Sequence, residues 1–348
     1  MDGLRDLHAG SAPVVRVQDG VLSITGSTSL KDKEGNTQLH LLCAVCELPN
    51  KVVAEVKNLL THPEVLAQLN RQNNKGYSPL HLAVKAGNVA LATLLLSFGA
   101  DIKMRDRKRR TALHWAVTHT NNSADPTLLD TLLSDEHIEV NAIDNASRTA
   151  LHVAGRLQSL PAITALLRHP QTVADQFDIN GQLPLNTYLS SVKDEAGPEY
   201  SIVAQFLAHR DTSTSAQDFH DNTGLHTLIE WCINNPRAEP PSECISLLKA
   251  GTSIEHIPNS HSQTPLNMAT AAGRDDLVNL LRTEVELVAL STSEPAEAAP
   301  PSSSALAARA PVRYYPGPAS WQMPPGNGSN KAQKEPKEKK GSRACVIS

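Results

Sequence analysis

Aromatic residues are scarce in this sequence. Phenylalanine, tryptophan and tyrosine together make up 3% of 348 residues, whereas hydrophobic residues as a whole make up 40%. This composition disfavours one large core built around aromatic rings. Thin layers packed with leucine and alanine, stacked one on another, fit it better. We therefore expect a repetitive architecture.

Long hydrophobic runs are also missing. No window approaches the ~18 apolar residues of a membrane-spanning helix, and residues 1–10 are polar without an apolar signal region. The five cysteines have no regular spacing, which is typical of reduced thiols in the cytosol. We expect a chain that neither spans a membrane nor enters the secretory route.

Charge of one sign is not in excess either. The formal net charge is −4, so bulk affinity for nucleic acid is not expected and electrostatic function must come from local patches. The sequence has no G-x-S-x-G, no P-loop, no dinucleotide fingerprint and no H-E-x-x-H. We predict no catalytic residue, no cofactor and no metal site, and hence a protein that is not an enzyme.

The stretch N-K-G-Y-S-P-L-H-L-A-V-K-A-G-N-V-A-L-A-T-L-L-L-S-F-G predicts two short helices. Ser78 can cap a helix over about 79–86, and Gly87 ends it because glycine readily takes the left-handed conformation. Asn88 can cap a second helix over 89–97. Helices this short need tertiary packing, and leucines facing several directions require neighbours on both sides.

The same pattern recurs along the chain. Thr or Ser followed by x-Leu-His, or a degraded form of it, occurs at 37–40, 78–81, 111–114, 149–152, 183–186, 223–226 and 264–267. The first positions lie 41, 33, 38, 34, 40 and 41 residues apart. This resembles the ankyrin repeat, in which T-P-L-H-x-A opens the first helix of a unit of about 33 residues. The resemblance implies an all-α solenoid of about seven helix-turn-helix units with finger loops.

The resemblance also implies roles for recurring residues. Ankyrin solenoids bind other proteins through their finger tips and through the concave surface of the first helices. Their first-turn histidines hydrogen-bond to backbone, so we do not expect metal ligation by the histidines found at these positions, which are His40, His81, His114, His152 and His226.

The turn of each finger is a glycine in the family pattern D-x-x-G-x-T. Asp32, Gly35 and Thr37 match this pattern, but Arg109 stands at the turn position of the third unit. Arginine is unfavourable in a left-handed conformation. The sequence therefore predicts a distorted third finger.

Two cysteines, Cys43 and Cys46, have zinc-like spacing, but they fall in the apolar run L-L-C-A-V-C, where cysteine packs as a small hydrophobe. Cys232 and Cys244 lie about five units further along the solenoid. At ~8 to 10 Å between helix layers, that separation is on the order of 40 Å. The four cysteines are not expected to converge on a metal.

Outside the solenoid we expect three segments. Residues 1–30 form an N-terminal extension in which the alternation over 14–25 predicts a hairpin that caps the first repeat. The repeats occupy 31–290. Residues 291–330 are rich in Pro, Ala and Ser and predict a disordered linker, and 331–348 contain a polybasic segment. The linker's aromatic patch has no P-x-x-P, so plain disorder is favoured over a ligand for proline-reading domains.

The sequence ends in Cys345-Val346-Ile347-Ser348, which resembles a C-a-a-X box. It predicts farnesylation of the Cys345 thiol by a prenyltransferase. A single lipid chain binds membranes only marginally, so a second signal is needed at an anionic membrane surface. The residues expected to supply it are Lys331, Lys334, Lys337, Lys339, Lys340 and Arg343.

A second basic run, 103–110, has six basic residues in eight. Three interpretations are open: a solvated finger, a contact for an acidic protein or a headgroup, and a nuclear localisation sequence. The candidate partner-binding residues are Arg105, Arg107, Lys108, Arg109 and Arg110.

From these features we predict a non-catalytic adaptor that tethers a protein partner, of unknown identity, to the cytoplasmic face of a membrane. The alternatives are a nucleocytoplasmic regulator of the ankyrin inhibitor type, located in cytoplasm and nucleus, and a microbial effector that is lipidated in a host cell. No nucleic-acid partner is expected.

Overall fold

The computed structural model describes residues 14–18, 21–25, 31–44, 50–123, 125–193, 197–209, 212–249 and 254–282. These residues form fifteen α-helices, one short 3-10 helix (Ile254–His256) and a two-stranded hairpin. The predicted all-α solenoid is confirmed. The expected linker and polybasic segment, 291–348, lie outside the described residues.

In chain order the helices are α1 (Gln38–Cys43), α2 (Asn50–Leu60), α3 (Pro63–Leu66), α4 (Pro79–Lys85), α5 (Val89–Ser97), α6 (Ala112–Ser123), α7 (Thr127–Leu133), α8 (Ala150–Arg156), α9 (Leu160–Arg168), α10 (Pro184–Ser191), α11 (Tyr200–Ala208), α12 (Gly224–Asn234), α13 (Ser242–Lys249), α14 (Pro265–Ala271) and α15 (Asp275–Arg282). Seven pairs result: α1 with α2, then α4 with α5, and so on to α14 with α15, while α3 is an extra turn. First helices stack on first helices and second helices on second helices, as α6 does on α4 and α8. The core is a series of layers.

The second pair, α4 and α5, illustrates why these segments are helical. The Ser78 hydroxyl accepts a hydrogen bond from the His81 amide, and the Asn88 side chain accepts one from the Leu91 amide at 2.9 Å. Gly87, with φ of 77°, ends α4. Leu91 is fully buried because α5 is covered by α2 on one side and α7 on the other.

The N-terminal hairpin pairs β1 (Val14–Gln18) with β2 (Val21–Thr25) in antiparallel register, with Val14 opposite Thr25 and Gln18 opposite Val21. Strand β1 lies against α1, and β2 lies against α2. The hairpin therefore contacts both helices of the first pair.

A finger loop precedes each helix pair, and we number the fingers 1 to 7 after the pair that follows. The turn residue of every finger has a positive φ, between 56° and 78°. The seven turn residues are Gly35, Gly76, Arg109, Ser147, Gly181, Asp221 and Ser262.

A carboxylate or amide three residues before the turn holds each finger in shape. Its side-chain oxygen accepts hydrogen bonds, 2.7 to 3.0 Å long, from the backbone amides two and four residues further on. The residues that provide this acceptor are Asp32, Asn73, Asp106, Asp144, Asp178, Asp218 and Asn259.

The expectation of a distorted third finger is wrong. Arg109 has φ of 59°, in the same region as Ser147 and Asp221. Asp106 accepts from the amides of Lys108 and Arg110 at 2.8 and 2.9 Å, as its counterparts do in the other fingers. These bonds impose the turn on arginine, which bears the backbone strain without changing the loop.

Histidines join one pair to the next. In each of five first helices the histidine Nε2 lies 2.9 to 3.2 Å from a carbonyl oxygen of the following finger, and Nδ1 lies 3.1 to 3.3 Å from the helix-capping amide. Since Nδ1 accepts, Nε2 carries the proton and donates. The histidines are His40, His81, His114, His152 and His226.

Candidate protein-binding surface

The structure divides the five predicted binding residues of finger 3 into two groups. Arg107, Lys108 and Arg109 are exposed, and their side chains pair with no carboxylate among the described residues. Arg105 and Arg110 are partly buried and engaged in ion pairs. Three adjacent cations at the tip are therefore available to a ligand.

Arg110 belongs to the framework of the finger. Its guanidinium lies 2.8 Å from the carboxylate of Asp106, which is 5% exposed and already accepts two backbone amides. The guanidinium also lies over the ring of Trp115, with 4.0 Å between Cζ and the ring centroid. This side chain supports the finger rather than presenting charge at its tip.

Arg105 forms an ion pair with Glu139 in the next unit, at 3.2 Å. Both side chains are about one-third exposed or more, so water screens much of their attraction. The carbonyl of Arg105 also accepts a hydrogen bond from Gln72 at 2.7 Å. Arg105 thus links three neighbouring units, and its guanidinium is already engaged by Glu139.

Beside finger 3 lies a cluster that the sequence did not reveal. Tyr77 and Trp115 meet edge to face, 5.6 Å between centroids, and the amino group of Lys85 lies 5.3 and 5.1 Å from their ring centroids. Cation–π attraction holds this exposed amine beside the finger. Tyr77 immediately precedes the capping residue of α4, whereas Trp115 is the fourth residue of α6, so the two aromatic residues occupy different positions of the repeat and no repeat pattern pointed to the pair.

The candidate surface therefore consists of the tip cations Arg107, Lys108 and Arg109 with Lys85 at its edge. The four positive side chains have no acidic partner among the described residues, although the chain as a whole carries a net negative charge. The arrangement suits carboxylates or phosphates, which arginine binds through two parallel hydrogen bonds.

The five histidines have structural roles, as the resemblance implied. Each is buried, and hydrogen bonds account for both of its ring nitrogens. Burial lowers the pKa of every one of them. In the described part of the chain, no group of three or more His, Cys, Asp or Glu side chains could hold a metal ion.

The described cysteines, Cys43, Cys232 and Cys244, are free and buried. Burial raises the pKa of all three thiols, to about 12 for Cys232 and about 11 for Cys244, so they remain protonated and unreactive at neutral pH. Cys46 lies outside the described residues.

The predicted lipidation and membrane residues also lie outside the described residues. They are Cys345, Lys331, Lys334, Lys337, Lys339, Lys340 and Arg343. None of the described helices combines the length and the hydrophobicity that crossing a bilayer requires.

Comparison with known proteins gives consistent results. A family model described as ankyrin repeats, in three copies, matches residues 21–106, 41–144 and 91–182. The chain is 30% identical over 139 residues to the nuclear factor NF-kappa-B p105 subunit of Gallus gallus, covering 40% of this chain and 13% of that protein. It is 27% identical over 239 residues to the B-cell lymphoma 3 protein homolog of Mus musculus, covering 68% and 49%. The chain thus spans less than half the length of these two relatives.

Among solved structures, the ankyrin repeat domain of Bcl-3, described as a unique member of the IkappaB protein family, superposes with a TM-score of 0.58 at 25% identity. The match covers 72% of this chain and all of that one. The helix pairs, the fingers, the histidine bonds and these matches lead to one conclusion: this chain contains an ankyrin-repeat domain.

Proposed function

We propose that this chain is a non-catalytic regulator that binds an acidic segment of a partner protein at finger 3. The observation that carries the proposal is the set of three exposed, unpaired cations at Arg107, Lys108 and Arg109. Ankyrin repeats mediate protein–protein interaction, and a finger tip is a surface from which they do so.

The backbone of Arg109 strengthens this argument. Other fingers carry Gly, Ser or Asp at the turn, whereas an arginine in the left-handed region costs about 1 to 2 kcal/mol. A side chain that serves only solubility gains nothing from this particular position. A contact with a partner would offset the strain.

The likeness to two relatives supports one class of regulator. Bcl-3 is described as a member of the IkappaB protein family, and p105 is named a subunit of nuclear factor NF-kappa-B. These likenesses support a nucleocytoplasmic regulator of the inhibitor type in preference to an adaptor held at a membrane.

The geometry of finger 3 weakens the nuclear-localisation interpretation of 103–110. The run is folded into a tight turn, with the amides of Lys108 and Arg110 bonded to Asp106. A receptor that reads an extended basic peptide would have to break these bonds and the Arg110 ion pair first. A folded basic tip is better suited to a surface contact.

The test uses two triple variants of the full chain that change the net charge equally. Arg107, Lys108 and Arg109 are replaced by Gln in the first. In the control, Gln replaces Lys33, Lys57 and Arg71, which are exposed on earlier units. Affinity capture with quantitative mass spectrometry should lose the salt-sensitive partners only with the first variant; equal capture by both would refute the finger as the binding site.

A second function, the membrane tether, rests on the sequence Cys345-Val346-Ile347-Ser348 and the basic residues before it. The thiol, the two aliphatic residues and the terminal serine match the requirements for farnesylation. In eukaryotic cells, Cys345→Ser should move the protein from the membrane pellet to the supernatant. Pelleting that does not change would eliminate the tether.

The basic residues should supply the second part of this anchor. Replacing Lys337, Lys339 and Lys340 by Gln should cause partial release that is larger at physiological than at low salt, because screening weakens the attraction that remains.

A further inference from the structure

Exposed apolar side chains gather at the tips of fingers 5 and 6. Phe177 and Ile179 flank the acceptor Asp178 in finger 5, and Phe219 follows the acceptor Asp218 in finger 6. Their side chains are 37%, 61% and 62% exposed, respectively. They account for three of the six large hydrophobic residues that are exposed in the described part of the chain.

The rings of Phe177 and Phe219 lie next to each other, with 6.0 Å between their centroids and an angle of 34° between their planes. The ring of Phe219 also lies so close over Gly181 that a Cβ added to that glycine would clash with it. Finger 5 keeps a glycine where fingers 3 and 4 have Arg109 and Ser147. The aromatic residue of finger 6 is therefore accommodated by the turn of finger 5.

Two kinds of hydrogen bond that join neighbouring units elsewhere, the histidine bond and the backbone bond between fingers, do not occur at this junction among the described residues, although the Cys244 thiol donates to the Pro198 carbonyl at 3.5 Å. The fifth unit has Asn186 at the position where five other units have histidine. The side-chain Nδ2 of Asn186 is buried and has no hydrogen-bond partner among the described residues. In the described part of the chain no backbone bond joins finger 5 to finger 6, whereas other neighbouring fingers share one. Those bonds are Asn74 N to Glu34 O, Arg107 N to Lys75 O, Asn145 N to Lys108 O, Ile179 N to Ala146 O and Ser260 N to His220 O.

Apolar contact between Phe177 and Phe219 thus takes the place of hydrogen bonding between fingers 5 and 6. This contact does not bury the exposed apolar side chains completely. Side chains that served only to join the fingers would cover each other. Instead, more than half of Ile179 and Phe219 faces solvent. A group of exposed apolar side chains of this kind is typical of an interaction site.

We propose that Phe177, Ile179 and Phe219 form an apolar subsite for the partner segment whose acidic residues bind finger 3. This inference rests on the function proposed above and specifies the partner further. The segment carries acidic side chains at one end, for Arg107, Lys108 and Arg109, and apolar side chains at the other.

The spacing sets the length of the segment. Two steps separate finger 3 from finger 5 and three separate it from finger 6, so at ~8 to 10 Å per layer the apolar contacts lie roughly 16 to 30 Å from the acidic ones. An extended chain rises ~3.3 Å per residue, so about five to nine residues separate the acidic from the apolar contacts. Finger 4, between them, presents Asn145 and Ala146 and pairs its Arg148 with Asp144, so the middle of the segment is uncharged.

The experiment selects peptides from a random 16-residue display library on the full-length chain. We expect enrichment of sequences with an acidic cluster and, about five to nine residues away, two apolar residues. A selected peptide is then titrated by fluorescence anisotropy. The double variant Ile179→Ser/Phe219→Ala should lower its affinity at least tenfold without changing the salt dependence, because only apolar contact is lost.

Tyr200→Ser is the matched control, because Tyr200 is 47% exposed on α11, outside the fingers. It should leave the affinity unchanged. Unchanged affinity of the double variant, combined with loss of binding in the Arg107/Lys108/Arg109→Gln variant, would overturn this inference and leave the proposed function intact.

Two other results would also overturn the inference. Selected peptides without the acidic and apolar pattern would show that the surface has a different ligand. Self-association in analytical ultracentrifugation that disappears in the Ile179→Ser/Phe219→Ala variant would assign the patch to a second copy of this chain.

Discussion

The guanidinium of Arg110 lies over the indole ring of Trp115, with 4.0 Å between Cζ and the ring centroid. Arg110 closes finger 3, and Trp115 lies in α6, so the contact fastens the finger to its own helix pair. The same guanidinium pairs with the buried carboxylate of Asp106. One arginine therefore stabilises the loop while its neighbour Arg109 remains free at the tip.

Arg110→Gln should lower the free energy of unfolding by about 2 kcal/mol, because a charge-assisted bond to a buried carboxylate and a cation–π contact are both lost. Urea denaturation of the full chain measures this change. Arg109→Gln removes the same charge from the exposed tip and should cost far less. Equal losses in the two variants would mean that the contact between Arg110 and Trp115 contributes nothing specific.

Acidification should destabilise the domain through its buried histidines. Burial lowers the pKa of each below the ordinary value of 6.5, so the folded state keeps them neutral where the unfolded state takes up protons. The stability that the neutral histidines provide is fully present above about pH 6.5, and it is lost as the pH falls through their folded-state pKa values. The urea midpoint should therefore drop between pH 7.5 and 5.5, before carboxylates titrate.

His152→Asn provides the control for this pH effect. It copies the residue found at the equivalent position of the next unit, Asn186, and removes one of the five titrating rings. The variant should be less stable at pH 7.5 and should show a shallower dependence of stability on pH. A dependence as steep as that of the wild type would assign the effect to other groups.

The helix pairs were predictable because their signals are local. A capping Ser or Thr, a Leu-His pair and a following Gly or Asn mark where each helix begins and ends, and α5 has the predicted bounds. The geometry of finger 3 was mispredicted because only Arg109 was considered. The acceptor three residues earlier, Asp106, was visible in the sequence, and its two backbone bonds fix the turn.

The surface itself could be predicted only in part. Five basic residues in finger 3 were identified, but which of them remain unpaired depends on Glu139 and Trp115, which stacking and helix formation bring to the finger. The apolar patch requires two fingers to meet, with Phe177 and Phe219 contributed by different units. No single-unit pattern contains that information.

Restoring the missing histidine bond should strengthen the junction between units 5 and 6. In the double variant Leu183→Thr/Asn186→His, the new hydroxyl can cap α10 as Thr149 caps α8, and the new ring can donate to finger 6 as His152 does to finger 5. The gain should stay below the roughly 1 kcal/mol of a net hydrogen bond, because the variant also removes part of the Leu183 side chain, which is 4% exposed. Hydrogen exchange should show slower opening of α10 and α12. Asn186→His alone lacks the capping hydroxyl and should give less.

The turn residue of finger 3 allows stability to be separated from binding. Arg109→Gly relieves about 1 to 2 kcal/mol of left-handed strain but adds freedom to the unfolded chain worth about 0.4 to 1 kcal/mol, so a net gain of at most about 1.6 kcal/mol is expected. Ser147→Gly makes the same backbone change in finger 4, where φ is 56°, and removes no charge. Both variants should therefore melt at a higher temperature than the wild type.

The two variants should differ in binding to the acidic peptide selected on the wild-type chain. Arg109→Gly loses one of three free cations, so its affinity should fall and its salt dependence should become shallower, because fewer ions are released on binding. Ser147→Gly should bind as the wild type does. If Arg109→Gly raised the melting temperature and left both the affinity and the salt dependence unchanged, Arg109 would be a solvated side chain, and the partner would have to be sought at another finger.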